Sequence, residues 1–216
     1  MTHDLFAALE PAASCLPICP GAVVLRDFVG PRSAAILTAL EAIEAAAPFR
    51  HMVTPGGRQM SVAMTNCGHR GWGSDRRGYR YEPCDPVSGQ PWPGMPGVFL
   101  ELARAAADAA GFAAFVPDAC LVNRYVPGTR LSLHQDRDER DFSAPIVSVS
   151  LGLPAVFQFG GPRRADRCVR IPLAHGDIVV WGGPARRHYH GVLPLADGVH
   201  PATGRTRLNL TMRKAG

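Results

Sequence analysis

After residue 118 the chain breaks into short β-type runs set apart by Gly, Pro and Asp turns: CLVNRYV, PIVSVSLG, AVFQFG, CVRIPL, DIVVWG, HYHGVL and RTRLNLTMR. So many short strands at this spacing predict a β-sandwich, jelly roll or barrel. With 216 residues in all, one domain is expected, burying roughly 70% of the surface its unfolded form exposes. Such a core needs neither disulfides nor a structural metal, so a metal bound here would be functional.

Ahead of the strands, Ile36, Leu37, Leu40 and Ile43 follow helical spacing behind Pro31, which predicts a helix ending near Pro48. A second helix is expected from about Pro96 to Ala110, with Phe99, Leu102, Ala103 and Ala106 on one stripe and Gly111 as its stop. Residues 54–94, between the helices, are Gly-rich and interleave Arg58, Arg70, Arg76, Arg77 and Arg80 with Trp72, Tyr79, Tyr81 and Trp92. Residues 1–20 mix Ala, Pro and Cys without period and read as an extended or loosely ordered lead-in. The expected division is a lead-in over 1–20, helices and the basic aromatic segment over 21–117, and the β core over 118–216.

Several classes of function are set aside by composition. No run of about eighteen apolar residues exists, and the start lacks a basic region followed by an apolar one, so neither a membrane span nor secretion is expected. The six cysteines form no C-x-x-C pair, which fits reduced thiols in a cytoplasm better than a zinc ribbon or a redox motif. Net charge is +5, carried almost wholly by arginine, Lys214 being the only lysine. A basic excess favours an anionic partner, although a GC-rich genome would also replace Lys by Arg.

His134-Gln135-Asp136 places an imidazole and a carboxylate at i and i+2, on one side of an extended chain. One more histidine would complete the two-His, one-carboxylate triad that leaves coordination positions open on a non-haem Fe(II). A second pair, His175-Gly176-Asp177, reads instead as a tight turn feeding the apolar run Ile178 to Trp181. The third ligand is His188 or His190, which share a face and which strand periodicity does not separate. In the last run, Arg207, Asn209, Thr211 and Arg213 alternate with Leu208, Leu210 and Met212, so one face is polar and the other packs into the core. Two arginines on one face of a sheet call for an anion such as a small dicarboxylate; a solvated edge strand is the alternative.

H-Q-D at 134–136, Y-H-G at 189–191 and R-x-N-L-T-x-R at 207–213 resemble the AlkB family of 2-oxoglutarate and Fe(II)-dependent dioxygenases. The stretches MVTPGGRQMSVAMTNCGH, PDACLVNRYVPG, LSLHQD and PIVSVSLGLPAVFQFGG are similar to it too, so that the likeness covers residue 21 to the end. It implies a mainly β fold with flanking helices, a double-stranded β-helix (jelly roll) core carrying a nucleotide-recognition lid. It implies His134, Asp136 and His190 as iron ligands, and Arg207, Arg213, Asn123, Tyr125 and Asn209 as partners of 2-oxoglutarate, with Fe(II), 2-oxoglutarate and O2 as the cofactor set. It implies Trp72 stacking on the damaged base, Tyr79 and Tyr81 on the nucleotide and its phosphate, and Asp138 and Arg164 around the substrate, with Arg163 and Arg167 as alternatives to Arg164. The implied activity is oxidative demethylation of N-alkylated bases such as 1-methyladenine and 3-methylcytosine, with release of formaldehyde. The implied partner is alkylated single-stranded DNA, with RNA and flipped bases in duplex as further candidates, and a monomer is expected. Rival readings are a 2-oxoglutarate-dependent hydroxylase of a protein or small molecule, and a non-catalytic binder of single-stranded nucleic acid.

Overall fold

The computed structural model describes residues 14–216. In chain order the strands are β1 (Cys15–Cys19), β2 (Ala22–Leu25), β3 (Arg50–Val53), β4 (Gln59–Gly68), β5 (Gly71–Asp75), β6 (Gly78–Glu82), β7 (Ala119–Tyr125), β8 (Leu131–His134), β9 (Ile146–Gly152), β10 (Ala155–Phe159), β11 (Val169–Leu173), β12 (Ile178–Trp181), β13 (His190–Val192) and β14 (Arg207–Arg213). The helices are α1 (Ser33–Ala46), which follows β2, and α2 (Gly97–Ala109), which follows β6.

Each helix forms where the apolar spacing placed it. Ile36, Leu40 and Ile43 are the buried stripe of α1, and Pro31 sits in the 3-10 turn that leads into it. In α2 the buried stripe is Phe99, Leu102, Ala103, Ala106 and Ala107. Gly111 ends α2 at φ +84°: its amide donates to the Asp108 carbonyl and the Phe112 amide to Ala107, the paired bonds that close a helix through a left-handed glycine.

Eight strands make one antiparallel sheet in the order β1-β2-β12-β9-β14-β7-β4-β3, and four make a second in the order β11-β10-β13-β8. The larger sheet is covered on both faces. Val147, Val149, Leu151, Ile178, Val180, Leu210 and Met212 pack with the helix stripes, while Leu121, Tyr125, Ile146, Val179 and Trp181 pack with Phe157, Phe159, Leu173 and Val192 of the smaller sheet. The result is a double-stranded β-helix with helices on one outer face. Because alternate residues point to opposite faces, the register of β14 with β7 and β9 aligns Arg207, Asn209, Thr211, Asn123, Tyr125, Ser148 and Ser150 on the face that looks into the space between the sheets. The polar face of β14 is therefore interior, not a solvated edge.

Two segments gain detail. Of the extended or loosely ordered lead-in read over residues 1–20, residues 15–19 are extended and pair antiparallel with β2 as the edge strand β1, while 1–13 lie outside the described residues. The basic aromatic segment of 54–94 divides in two. Residues 59–68 are a strand of the main sheet, buried from Val62 to Gly68 because both faces are covered, and only β5 and β6 stand apart as a two-stranded hairpin.

The smaller sheet holds a close approach that the site depends on. β13 pairs with β8, with His190 opposite His134 and a register shift between His190 and Val192. Gly191 lies in that shift, where a Cβ would come within 2.7 Å of the Leu131 carbonyl oxygen and 3.1 Å of the Leu133 amide nitrogen. Both are backbone atoms, so β13 itself would have to move. Gly191→Ala is expected to cost about 1–3 kcal/mol in urea unfolding; an unchanged midpoint would show that β13 separates from β8 without penalty.

Candidate active site

His134 closes β8, His190 opens β13 and Asp136 follows β8 by two residues. The backbone register makes the two histidines cross-strand partners, with ring centroids 4.4 Å apart. One ligand atom from each of the three residues lies within 4.8 Å of the others, a cluster that could hold a metal ion. The hydrogen bonds choose which atoms face inward. Nδ1–H of His134 donates to the Ser132 carbonyl at 2.9 Å and Nδ1–H of His190 to the His188 carbonyl at 3.0 Å. Each Nε2 therefore presents its lone pair to the shared centre, 3.6 and 3.8 Å from Oδ1 of Asp136. Burial, with His134 beside it, pushes His190 down to about 3, so it stays neutral and able to ligate at physiological pH.

Asp136 is buried. Burial alone would raise its carboxyl, but the Arg213 guanidinium outweighs this and holds it well below the usual carboxylate range. Nε and Nη2 of Arg213 both donate to Oδ2, at 2.9 and 2.7 Å. Oδ1 is left facing the histidines. The same Nε of Arg213 also lies 3.4 Å from Oε1 of Glu139. Glu139 also faces Nη2 of Arg186 at 3.2 Å and accepts the Tyr81 hydroxyl at 2.8 Å.

The competing pair does other work. Nδ1 of His175 accepts the Gly152 amide, which leaves Nε2–H to bond Ser33 Oγ at 2.8 Å. Asp177 accepts Nη1 of Arg26 and the amides of Asp27 and Ala174. With every inward atom taken, this pair joins β2, β12 and α1. His188 stands outside the three-residue cluster, its ring tilted against Phe159 with centroids 5.6 Å apart.

Along the interior face of β14, Arg207 is 1% exposed and is treated differently from Arg213. Its Nη2 donates to Ser150 Oγ at 3.0 Å and its guanidinium carbon lies 4.9 Å from the Tyr125 ring centroid. Nε and Nη1 of Arg207, the Tyr125 hydroxyl and Oδ1 of Asn123 are buried without a hydrogen-bond partner among the described residues. Asn209 is fixed beside them by bonds to Ser148 Oγ and the Val149 carbonyl. Burying a guanidinium without an anion costs several kcal/mol, so this pocket fits a carboxylate ligand. The donor set suits 2-oxoglutarate, whose far carboxylate would take the open edge of Arg207. Arg213, by contrast, already has two carboxylate partners.

The β5–β6 hairpin packs against the segment that follows Asp136. Asn66 grips the Trp72 backbone through both amide and carbonyl, and the Trp72 ring stacks on Tyr79 at 5.6 Å with planes 14° apart. The Trp72 indole N–H donates to Asp138 Oδ2 at 2.7 Å. Tyr79 is exposed, whereas the Tyr81 hydroxyl turns inward to Glu139. Arg164 donates to the Leu133 carbonyl next to His134, while Arg163 is tied to Asp166. Arg77 and Arg80 are both paired with Asp75 and so are matched inside the hairpin. Sequence reasoning missed Glu139 and Arg186, whose charged runs DRDER and PARRH look like solvated loops. It also missed Trp181, whose ring lies 4.8 Å from that of His190.

The sequence pattern of the 2OG-Fe(II) oxygenase superfamily matches residues 21–213, which takes in every strand of the core except β1, and the chain belongs to that superfamily. Within it, the chain is 58% identical over 212 residues to the alpha-ketoglutarate-dependent dioxygenase AlkB of Salmonella typhimurium, covering 98% of this chain and 97% of that protein. It is 56% identical over 213 residues to the protein of the same name from Escherichia coli, covering 99% and 98%. The solved structure of OsALKBH1 superposes with a TM-score of 0.82 at 28% identity, over 93% of this chain and all of that one.

The two H-x-D pairs make opposite predictions. Asp177→Ala leaves Arg26 and two amides without their acceptor and is expected to lower stability by about 2–4 kcal/mol while metal titrates in as before. A loss of metal binding on that substitution would return His175 and Asp177 to the list of ligands.

Proposed function

We propose that the protein is an Fe(II)- and 2-oxoglutarate-dependent oxidative demethylase of N-alkylated bases, such as 1-methyladenine and 3-methylcytosine, in single-stranded DNA, with RNA as a further substrate. The observation that carries the reading is the unmatched guanidinium of Arg207, buried on the same strand face as the arginine that orients Asp136. It supports a bound dicarboxylate next to a metal. The names of the two bacterial relatives agree with that chemistry.

In this reading His134, Asp136 and His190 hold Fe(II). Arg207, with Tyr125, Asn123 and Asn209, holds 2-oxoglutarate, and Arg213 acts on it through Asp136. When bound, iron with 2-oxoglutarate and O2 supplies the oxidising power that hydroxylates an N-methyl carbon, yielding succinate and CO2, after which the hydroxymethyl group leaves as formaldehyde. The protein's own part is orientation. A three-residue triad leaves coordination positions for both co-substrates, and His134 is the more exposed of the two imidazoles, which favours approach of the base from its side. A stacked base cannot reach a centre this deep, so the target is single-stranded or flipped out, and methylation that has broken its pairing lowers that cost.

The mouth suits a cationic base. The Trp72 ring offers a π face and Asp138 an opposite charge beside it. Tyr79 and Arg164 flank the entry for the nucleotide and its backbone.

The deciding experiment is mass spectrometry of a single-stranded oligonucleotide carrying one 1-methyladenine, incubated with protein, Fe(II), 2-oxoglutarate and air. Loss of the methyl group only in the complete mixture is expected, and His134→Ala or Asp136→Ala is expected to abolish it with the fold intact. Succinate without demethylation would redirect the substrate search to proteins or small molecules. Neither product would leave a non-catalytic binder.

Arg207→Met provides an independent check. Removing an unmatched buried charge is expected to leave the apo protein as stable or up to about 1–4 kcal/mol more stable, while binding of 2-oxoglutarate, followed by calorimetry on the Mn(II)-loaded protein, is lost. Undiminished binding would place the carboxylate partner elsewhere.

A further inference from the structure

Tyr81 has a task that the stacking and phosphate contacts of the hairpin do not need. Its hydroxyl points to the interior and donates to Oε1 of Glu139 at 2.8 Å. That same oxygen is 3.4 Å from Nε of Arg213, and Nε is also one of the two donors that hold Oδ2 of Asp136. Arg213 thus stands between two buried carboxylates. Asp136 has the closer share of it and Glu139 the longer contact.

We propose that Tyr81 is a positioning residue for the metal centre: by satisfying Oε1 of Glu139 it keeps that carboxylate from drawing Arg213 off Asp136. The physical reason is the cost of an unsatisfied charge in a buried site. Glu139 and Arg213 are both nearly inaccessible, with side chains 2% and 7% exposed, so neither can turn to water when a partner is lost. Arg186 faces the other carboxylate oxygen of Glu139, Oε2, at 3.2 Å as an ion pair without a hydrogen bond, so it is not free to serve Oε1. If the Tyr81 hydroxyl is removed, the unsatisfied Oε1 has Arg213 as its nearest remaining donor among the described contacts. Arg213 then shifts toward Glu139, Oδ2 of Asp136 loses part of its hold, and Oδ1 no longer sits fixed between the two Nε2 atoms. The hairpin that receives the base is in this way joined to the ligand that holds the metal. A second bond, from Trp72, the register partner of Tyr81 across the hairpin, to Asp138, anchors the same 136–139 segment.

The inference rests on the proposed metal site and not on the identity of the substrate, so metal binding alone tests it. Mn(II) is titrated into the full-length protein and the free ion is read by electron paramagnetic resonance. Tyr81→Phe keeps the ring and removes only the hydroxyl. Its affinity for Mn(II) is expected to fall about tenfold, the lower end of what the loss of a group orienting a metal ligand costs, while the fold stays intact and the melting temperature drops by only a few degrees with the lost buried hydrogen bond. In Tyr81→Phe/Glu139→Gln the competing charge is gone, Arg213 returns to Asp136, and affinity is expected to recover most of that loss. Wild-type affinity in Tyr81→Phe would overturn the proposal. So would a loss that the double variant fails to relieve, because the sharing of Arg213 would then not be its cause. Should the oligonucleotide assay fail while the Mn(II) pattern holds, the substrate reading falls and the positioning role stands.

Discussion

An arginine that enters the space between two packed sheets has to be matched by negative charge, and β14 brings in two. Much of the interior is arranged around that demand. Arg213 draws Asp136 and Glu139 inward, and Glu139 draws Arg186 after it. The formal charges of these four side chains cancel, which is how so much charge is kept in a site with little water. Burial lowers the Arg213 guanidinium, but Asp136, Tyr81 and Glu139 more than compensate, so it remains charged. Among the described residues Arg207 has no acid beside it, only the Ser150 hydroxyl and the face of Tyr125. One strand thus carries a closed electrostatic network at one end and an open one at the other.

The two sheets divide the labour that follows. The larger sheet, clamped between the helices and the smaller sheet, supplies the polar face of β14, β7 and β9, where each side chain is held by a neighbour in register. The smaller sheet supplies the two histidines as a cross-strand pair whose distance is set by Gly191. Neither group needs to move to meet the other, so the orienting cost is met when the chain folds and not when ligands arrive. The helices take no part in the chemistry. Their contribution is to cover the far side of β9, β12 and β14, which makes a sheet with polar side chains on its inner face stable.

The sequence made seven of the eight strands after residue 118 and both helices legible, because period two and period three-to-four spacing report directly on which residues face a core; β8, only four residues long, was not among the runs. β4 was not legible. A strand covered on both faces shows no alternation, and Val62 to Gly68 reads as a mixed run. The metal triad was visible as H-Q-D and a late histidine, but the choice between His188 and His190 rested on resemblance until the register of β13 against β8 placed His190 opposite His134. Glu139 had no signal at all. All six residues of DRDERD, 136–141, are charged, so composition gives each the look of a surface residue, yet Asp136 and Glu139 turn inward while Arg137 and Asp138 stay at the surface.

What separates the H-x-D proposed to hold the metal from its copy is the state of its hydrogen bonds and not its spacing. At 175–177 both ring nitrogens and both carboxylate oxygens are engaged by the protein, and the pair is complete as it stands. At 134–136 one nitrogen of each imidazole and one oxygen of the carboxylate point into a common space where the protein offers them only each other. The same test picks out the pocket proposed for the co-substrate, since among the described residues half of the buried polar side-chain atoms without a partner lie on Arg207, Tyr125 and Asn123. Folding leaves such atoms unmet only at a cost of about 1–3 kcal/mol each, and a cost gathered in one place is removed when a ligand of the matching chemistry binds there. The function of this fold is written where its internal bonding stops short.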